Sequence, residues 1–97
     1  AGFPDKVRLL KQMIRQTDCR GLCDEFHKLK GSGASHGIPD ISELGTLGEN
    51  ILLQSTSDWK DCEIVTELMV LLLQAYSQQS VFDFKSDSRY ISLNGKK

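Results

Sequence analysis

Phe26-His27-Lys28-Leu29-Lys30-Gly31-Ser32-Gly33-Ala34-Ser35-His36-Gly37 places a histidine inside a helical pattern and follows it with a crowd of small residues. Leu22, Phe26, Leu29 and Gly33 recur at three- and four-residue steps, so the spacing predicts a helix from about Arg20 to Ser35 with one inward stripe. His27 falls to the side of that stripe. Each glycine inside a helix costs about 1 kcal/mol relative to alanine. A sequence that accepts this beside a titratable side chain is making room for another molecule. Gly37 suits a left-handed helix end, and Pro39 follows it.

Three further helices frame this one. Val7, Leu10, Met13 and Ile14 mark a stripe from Asp5 to about Gln16, and Ile41, Leu44, Gly48, Ile51 and Leu52 mark another from Pro39 to about Gln54. Asp58 suits the N-cap of a fourth helix, whose inner face carries Trp59, Cys62, Val65, Met69, Leu72 and Tyr76. Pro4 and Pro39, the two prolines, stand where helices can begin. Short connections favour antiparallel neighbours, so the expected fold is all-α: an up-down antiparallel four-helix bundle over residues 1–79. Residues 80–97 show no helical period. They read as an irregular C-terminal tail, either an arm packed on the bundle or a linker.

Ninety-seven residues, 39% hydrophobic and 26% charged, suit one soluble domain with a single modest core. The net charge of −1 gives no footprint for nucleic acid or for anionic lipid. The longest apolar run, ending at Leu73, is too short to span a bilayer. Three cysteines are too few and too odd for a disulfide framework and point to reduced thiols in a cytoplasmic setting. The chain opens Ala1-Gly2-Phe3-Pro4 without methionine, as expected of a domain cut from a longer protein.

A histidine on a helix flank is by default a solvated surface residue. The run Lys30-Gly31-Ser32-Gly33-Ala34-Ser35 argues otherwise, because a bland surface helix would use better helix formers. Lys30 and Gly31 stand three and four residues beyond His27, and Ala34 lies two turns on, so the imidazole sits on a nearly bare shelf beside one ammonium group. That setting suits phosphoryl transfer, which needs a neutral ring nitrogen with a free lone pair. Lys30 would offset the charge of the product, while Gly31, Ser32 and Ala34 would let a donor protein close over the ring. A partner must also hold the other ring nitrogen. Asp24 on the same helix and Glu49, 22 positions downstream, both qualify, and spacing does not choose between them. Gly33, on the inner stripe, is expected to serve close helix packing, and His36 to bond the carbonyls at the helix end.

The stretch resembles the signature of histidine phosphotransfer (HPt) domains: His27, Leu29, Lys30, Gly31, Ser32 and Gly37 match its residue types, and Ile41 and Leu44 match apolar places on the next helix. The resemblance implies that His27 is the phospho-acceptor, that Lys30 stabilises the phosphoryl charge and that Glu49, at the family's acidic or amide position, orients the imidazole. It implies a phosphorelay intermediate of two-component systems, a carrier passing through phosphohistidine and not a self-sufficient kinase. Its partners would be response-regulator receiver domains and a hybrid sensor histidine kinase. It would need no cofactor of its own, the Mg2+ of transfer belonging to the receiver. A cytoplasmic monomer follows, free or as a domain of a membrane-anchored sensor kinase. Gly48 replaces a usual leucine, His36 a common apolar residue, and Gly45 adds a weak helix position; these departures are expected to weaken the third helix and loosen the setting of Glu49.

Two other readings compete. Cys19, Cys23 and His27 share one helical face, but the outer two are about 12 Å apart at 1.5 Å per residue, too far for one zinc ion, so no metal is expected. The cysteines then serve as small semi-buried apolar residues. A non-catalytic helical module that binds a receiver is the second reading, disfavoured because both His27 and Lys30 are present. No Gly-rich phosphate loop or kinase signature occurs.

Overall fold

The computed structural model describes residues 3–54 and 59–94. Its elements are helices α1 (Phe3–Arg15), α2 (Cys19–Ser35), α3 (Pro39–Leu53) and α4 (Trp59–Ser77), a 3₁₀ turn (Phe84–Ser86) and a short helix α5 (Ser88–Asn94). No strand occurs among the described residues. Each long helix packs on the next, and α4 returns to α1, which closes the four-helix bundle. No helix among the described residues is long and apolar enough to cross a membrane.

The stripes read from periodicity supply the core. Val7 and Leu10 of α1, Leu22, Phe26 and Leu29 of α2, and Ile41, Leu44, Ile51 and Leu52 of α3 meet Cys62, Val65, Met69 and Leu72 of α4 in one buried cluster. The buried surface of α4 is wider than its predicted stripe and includes Thr66, Leu68, Val70, Leu73 and Ala75, because α1, α3 and α5 all pack on it. Tyr76, expected on that inner face, keeps 37% of its surface exposed, as suits an apolar ring with a polar tip. Asp58, the expected N-cap of α4, lies outside the described residues.

Helix ends follow local chemistry. The Asp18 side chain caps α2 by accepting from the Gly21 backbone N–H at 2.9 Å. At its other end Gly37 adopts φ +69°, the Ile38 N–H donates to the Gly33 carbonyl at 2.8 Å and the Gly37 N–H to that of Ala34 at 3.4 Å. This paired closure needs a left-handed residue, which glycine supplies without steric penalty. Pro39 then starts α3.

The C-terminal segment, expected as an irregular tail, carries two short helical pieces and, of the two alternatives, is the arm packed on the bundle. Phe84 and Leu93 join the core, and the Phe84 and Tyr90 rings meet edge to face with centroids 5.0 Å apart. Arg89 ties Asp87 to Glu67 of α4, and Lys85 pairs with Glu43 of α3 at 2.7 Å. Seven residues of α5 are too few for a 3.6-residue period to repeat, so the pattern is invisible to periodicity.

Candidate functional site

His27 projects from the flank of α2 with 67% of its side chain exposed, while Phe26, its neighbour, is fully buried. One residue step turns a helix by about 100°, so the buried ring and the exposed imidazole share one anchor. Glu49 reaches across from α3, and its Oε2 lies 2.6 Å from His27 Nδ1. Its other oxygen, Oε1, accepts from Lys30 Nζ at 2.6 Å. The carboxylate left undecided by spacing is therefore Glu49, and Asp24 stays exposed on α2. A single carboxylate bridges the imidazole and the ammonium group.

Electrostatics define the proton positions. The hydrogen bond from Lys30, then that from His27, holds the Glu49 carboxyl below the usual carboxylate range, against a smaller opposing effect of desolvation. Ionised at neutral pH, Glu49 can only accept, so Nδ1 of a neutral His27 carries the ring proton and Nε2 keeps the free lone pair. Glu49 retains only 15% side-chain exposure, so the carboxylate is sheltered beneath an open ring.

Around the ring the small residues divide into two groups. Gly31 faces open space, with nothing within 4 Å of where a β-carbon would stand, and Ser32 and Ala34 are exposed. Ala34 also lines a shallow hollow of about 320 Å³ with Gly33, Gly37, Pro39, Ser42, Glu43 and Thr46. Gly33 is buried: a β-carbon there would sit 2.7 Å from the Ser42 backbone nitrogen, so it serves close packing as expected. Gly45 and Gly48 do the same from the α3 side, the former against the Lys30 backbone at 3.0 Å and the latter against the Phe26 ring at 2.4 Å. Read as weak helix positions in the sequence, both also serve as close-contact positions, because their missing side chains let α3 approach α2. His36 Nδ1 lies 2.9 Å from the Ser32 carbonyl, the helix-end role foreseen for it.

Among the described residues, no group of three His, Cys, Asp or Glu is placed to hold a metal ion. Cys62 is buried in the core, and desolvation first, then the neighbouring Cys19 and Asp61, push its thiol up to about 11. Cys23, half-buried against the core, shifts the same way, by desolvation and then Glu49, Asp24 and Cys19, so both thiols are less readily ionised than a free cysteine.

The Hpt domain family model matches residues 2–79, four-fifths of the chain, with His27 and its bridge inside the match. The chain belongs to the Hpt domain family. Hpt domains are phosphotransfer modules of phosphorelays, which interact with receiver domains and kinases of two-component signalling. Comparisons with curated proteins and with solved structures return no match.

One site-flanking feature of this Hpt domain escaped sequence reasoning. Glu25 is 5% exposed on the inner side of α2, where it pairs with Lys6 of α1 and with Lys28 at 3.2 Å. Burial alone would raise its carboxyl; the hydrogen bonds and charges of Lys6 and Lys28 outweigh that and hold it below its ordinary value. The signal was present, since Glu25 stands three residues after Leu22 and four before Leu29, on the buried stripe. A carboxylate at such a place requires a cation from elsewhere.

Proposed function

We propose that this Hpt domain is a phosphorelay intermediate in which His27 accepts a phosphoryl group at Nε2 from the aspartyl phosphate of one receiver domain and passes it to the aspartate of another. The Nε2 lone pair attacks phosphorus, the N–P bond forms as the bond from phosphorus to the aspartate oxygen breaks, and the aspartate leaves as carboxylate. The Nδ1 proton stays on the ring, which becomes cationic. Glu49 faces that charge, and Lys30 stands close enough to offset the transferred phosphoryl group. Back transfer reverses each step, so the same geometry serves both directions.

The observation that carries this reading is the two-oxygen bridge of Glu49, at 2.6 Å to His27 and 2.6 Å to Lys30. It engages the nitrogen that must not react and leaves the other unburdened. The exposed small residues Gly31, Ser32 and Ala34 provide the partner-docking shelf, where a displacement of about 1 Å between reacting atoms would slow transfer roughly a hundredfold. The module needs no cofactor of its own in this reading, as Mg2+ comes with the receiver. It acts as a cytoplasmic monomer, with the transfer function in residues 1–79 and residues 80–97 as an appended segment.

The test is transfer of labelled phosphate from a panel of phosphorylated receivers, with His27→Gln in parallel. Acid-labile, base-stable label on the wild type alone, discharged by a second receiver, is the expected result. Label on His27→Gln would overturn the site. A folded wild type that takes no label from receivers or from a small phosphoramidate would leave a receiver-binding module without chemistry.

A further inference from the structure

The contact between Phe26 and Gly48 is immediately adjacent, on both helices of the α2–α3 seam, to the contact between His27 and Glu49. Phe26 is fully buried, and Gly48 is a notch for its ring: a β-carbon at 48 would stand 2.4 Å from Cδ1 and 2.5 Å from Cε1. Real β-carbons do not approach so closely, so any side chain at 48 must move the ring or the helix. One turn earlier on α3, a β-carbon at 45 would lie 3.0 Å from the Lys30 backbone nitrogen and 3.1 Å from its Cα. Backbone cannot swing aside as a side chain can. Gly45 and Glu49 are four residues apart on one helix face, so the tight approach to Lys30 lies beneath the carboxylate that Lys30 contacts.

We infer that Gly48 and Gly45 are positioning residues of the site: the Phe26–Gly48 notch and the Gly45–Lys30 backbone contact set the α2–α3 separation at which Glu49 bridges His27 Nδ1 and Lys30 Nζ at once. Two facts require such a device. Glu49 has only two methylenes with which to span the seam, and both its oxygens are engaged at 2.6 Å. A third buried glycine, Gly33, meets Ile38, Ile41 and Ser42 near the start of α3, away from the bridge. It closes on α3 backbone, as Gly45 closes on α2 backbone, and provides a control for crowding on the same seam away from the bridge.

This inference deepens the proposed phosphotransfer role and rests on that role for its kinetic consequence, but not for its geometric one. The geometric readout is the 15N chemical shifts of the His27 ring, which report the tautomer without any phosphoryl donor. Wild type and Gly33→Ala are expected to show the Nδ1–H form. Gly48→Ala is expected to show a mixture of tautomers, and Gly45→Ala a smaller change in the same direction. Phe26→Leu combined with Gly48→Ala, which removes the ring carbons the new methyl would strike, is expected to move the shifts back toward wild type. Phosphorylation by phosphoramidate should follow the same order, falling on the order of a hundredfold in Gly48→Ala if the bridge moves by about 1 Å.

If Gly48→Ala fails to fold, Gly45→Ala and the Phe26→Leu double variant carry the test. A folded Gly48→Ala or Gly45→Ala with wild-type ring shifts overturns the inference, and so does a Gly33→Ala variant that disturbs the ring as much as they do. A wild type that shows the Nδ1–H form but takes no phosphate would sink the proposed function and leave the positioning role standing.

Discussion

The α2–α3 seam and the α1–α4 seam hold the same bundle together by opposite means. Between α2 and α3 three glycines, Gly33, Gly45 and Gly48, remove side chains, so that backbone meets backbone and the Phe26 ring enters a notch. Between α1 and α4 no glycine lies in either helix, and the contact is made by side chains such as Val7, Leu10, Val65 and Met69. Surface hollows lie on both seams, about 320 Å³ beside Gly33 and Ser42 on one and about 310 Å³ between Lys11 and Glu63 on the other, so the seams differ in what makes the contact and not in open space. Side chains adjust by rotamer, whereas apposed backbones do not. The histidine and its carboxylate sit on the seam where the backbones approach most closely.

That contrast is open to attack at several points. The largest effect on stability is expected from Leu10→Ala in the side-chain seam. It empties a fully buried site and should reduce unfolding free energy by about 2–5 kcal/mol. Its His27 ring shifts should nevertheless remain those of wild type, and urea denaturation beside 15N spectra checks both halves. A large ring perturbation would mean the two seams are mechanically coupled and would break the comparison. Gly33→Ala should cost about 1–3 kcal/mol by overpacking, since the nearest atoms are backbone, although it adds one methyl and removes nothing. A stabilised variant would show that this seam has slack.

Acid sharpens the contrast further. Glu49 titrates below its ordinary value because Lys30 and His27 favour the carboxylate. A depressed folded-state value means that its stabilising contribution is complete above the unfolded carboxylate pKa, about 4.3, and is lost as pH falls through the lower folded value. Wild type should therefore lose stability as pH drops below about 4.3, and Glu49→Gln should lose less over that window. Equal slopes for the two proteins would remove Glu49 from the account. Thr66→Val, within the α1–α4 side, should cost only about 0.5–1.5 kcal/mol, because the lost hydroxyl bond runs to the Cys62 carbonyl of its own helix. Smallest of all, breaking the exposed Asp5–Arg8 pair by Arg8→Ala should leave the denaturation midpoint unchanged, as solvent screens both partners.

The pattern of residues along single helices carried much of this structure. Stripes at three- and four-residue spacing located four helices and most of their buried residues. The position of His27 beside the Leu22–Phe26–Leu29–Gly33 stripe placed it on an open flank, and Gly37 marked the end of its helix. These features depend on a few consecutive residues and on the 3.6-residue turn, so they are written locally. Glu25 shows the limit of that reading: its place on the stripe called for a cation, but nothing nearby in sequence identified Lys6 of α1 as the one.

Only the tertiary structure decided the rest. Asp24 and Glu49 are both plausible partners for an imidazole, and choosing Glu49 requires the register of α3 against α2, which local spacing does not contain. The same register reverses the meaning of Gly45 and Gly48, weak positions for an isolated helix and close-contact positions for a helix pair. It also engages Lys30 with Glu49, a contact that the placement of Lys30 beside His27 does not contain. The segment after residue 80 follows the same logic, since Phe84 and Leu93 reveal their role only against the surface of α4 and its neighbours. Helix periodicity is a property of neighbours in the chain, while a hydrogen bond across 22 residues is a property of how two helices meet.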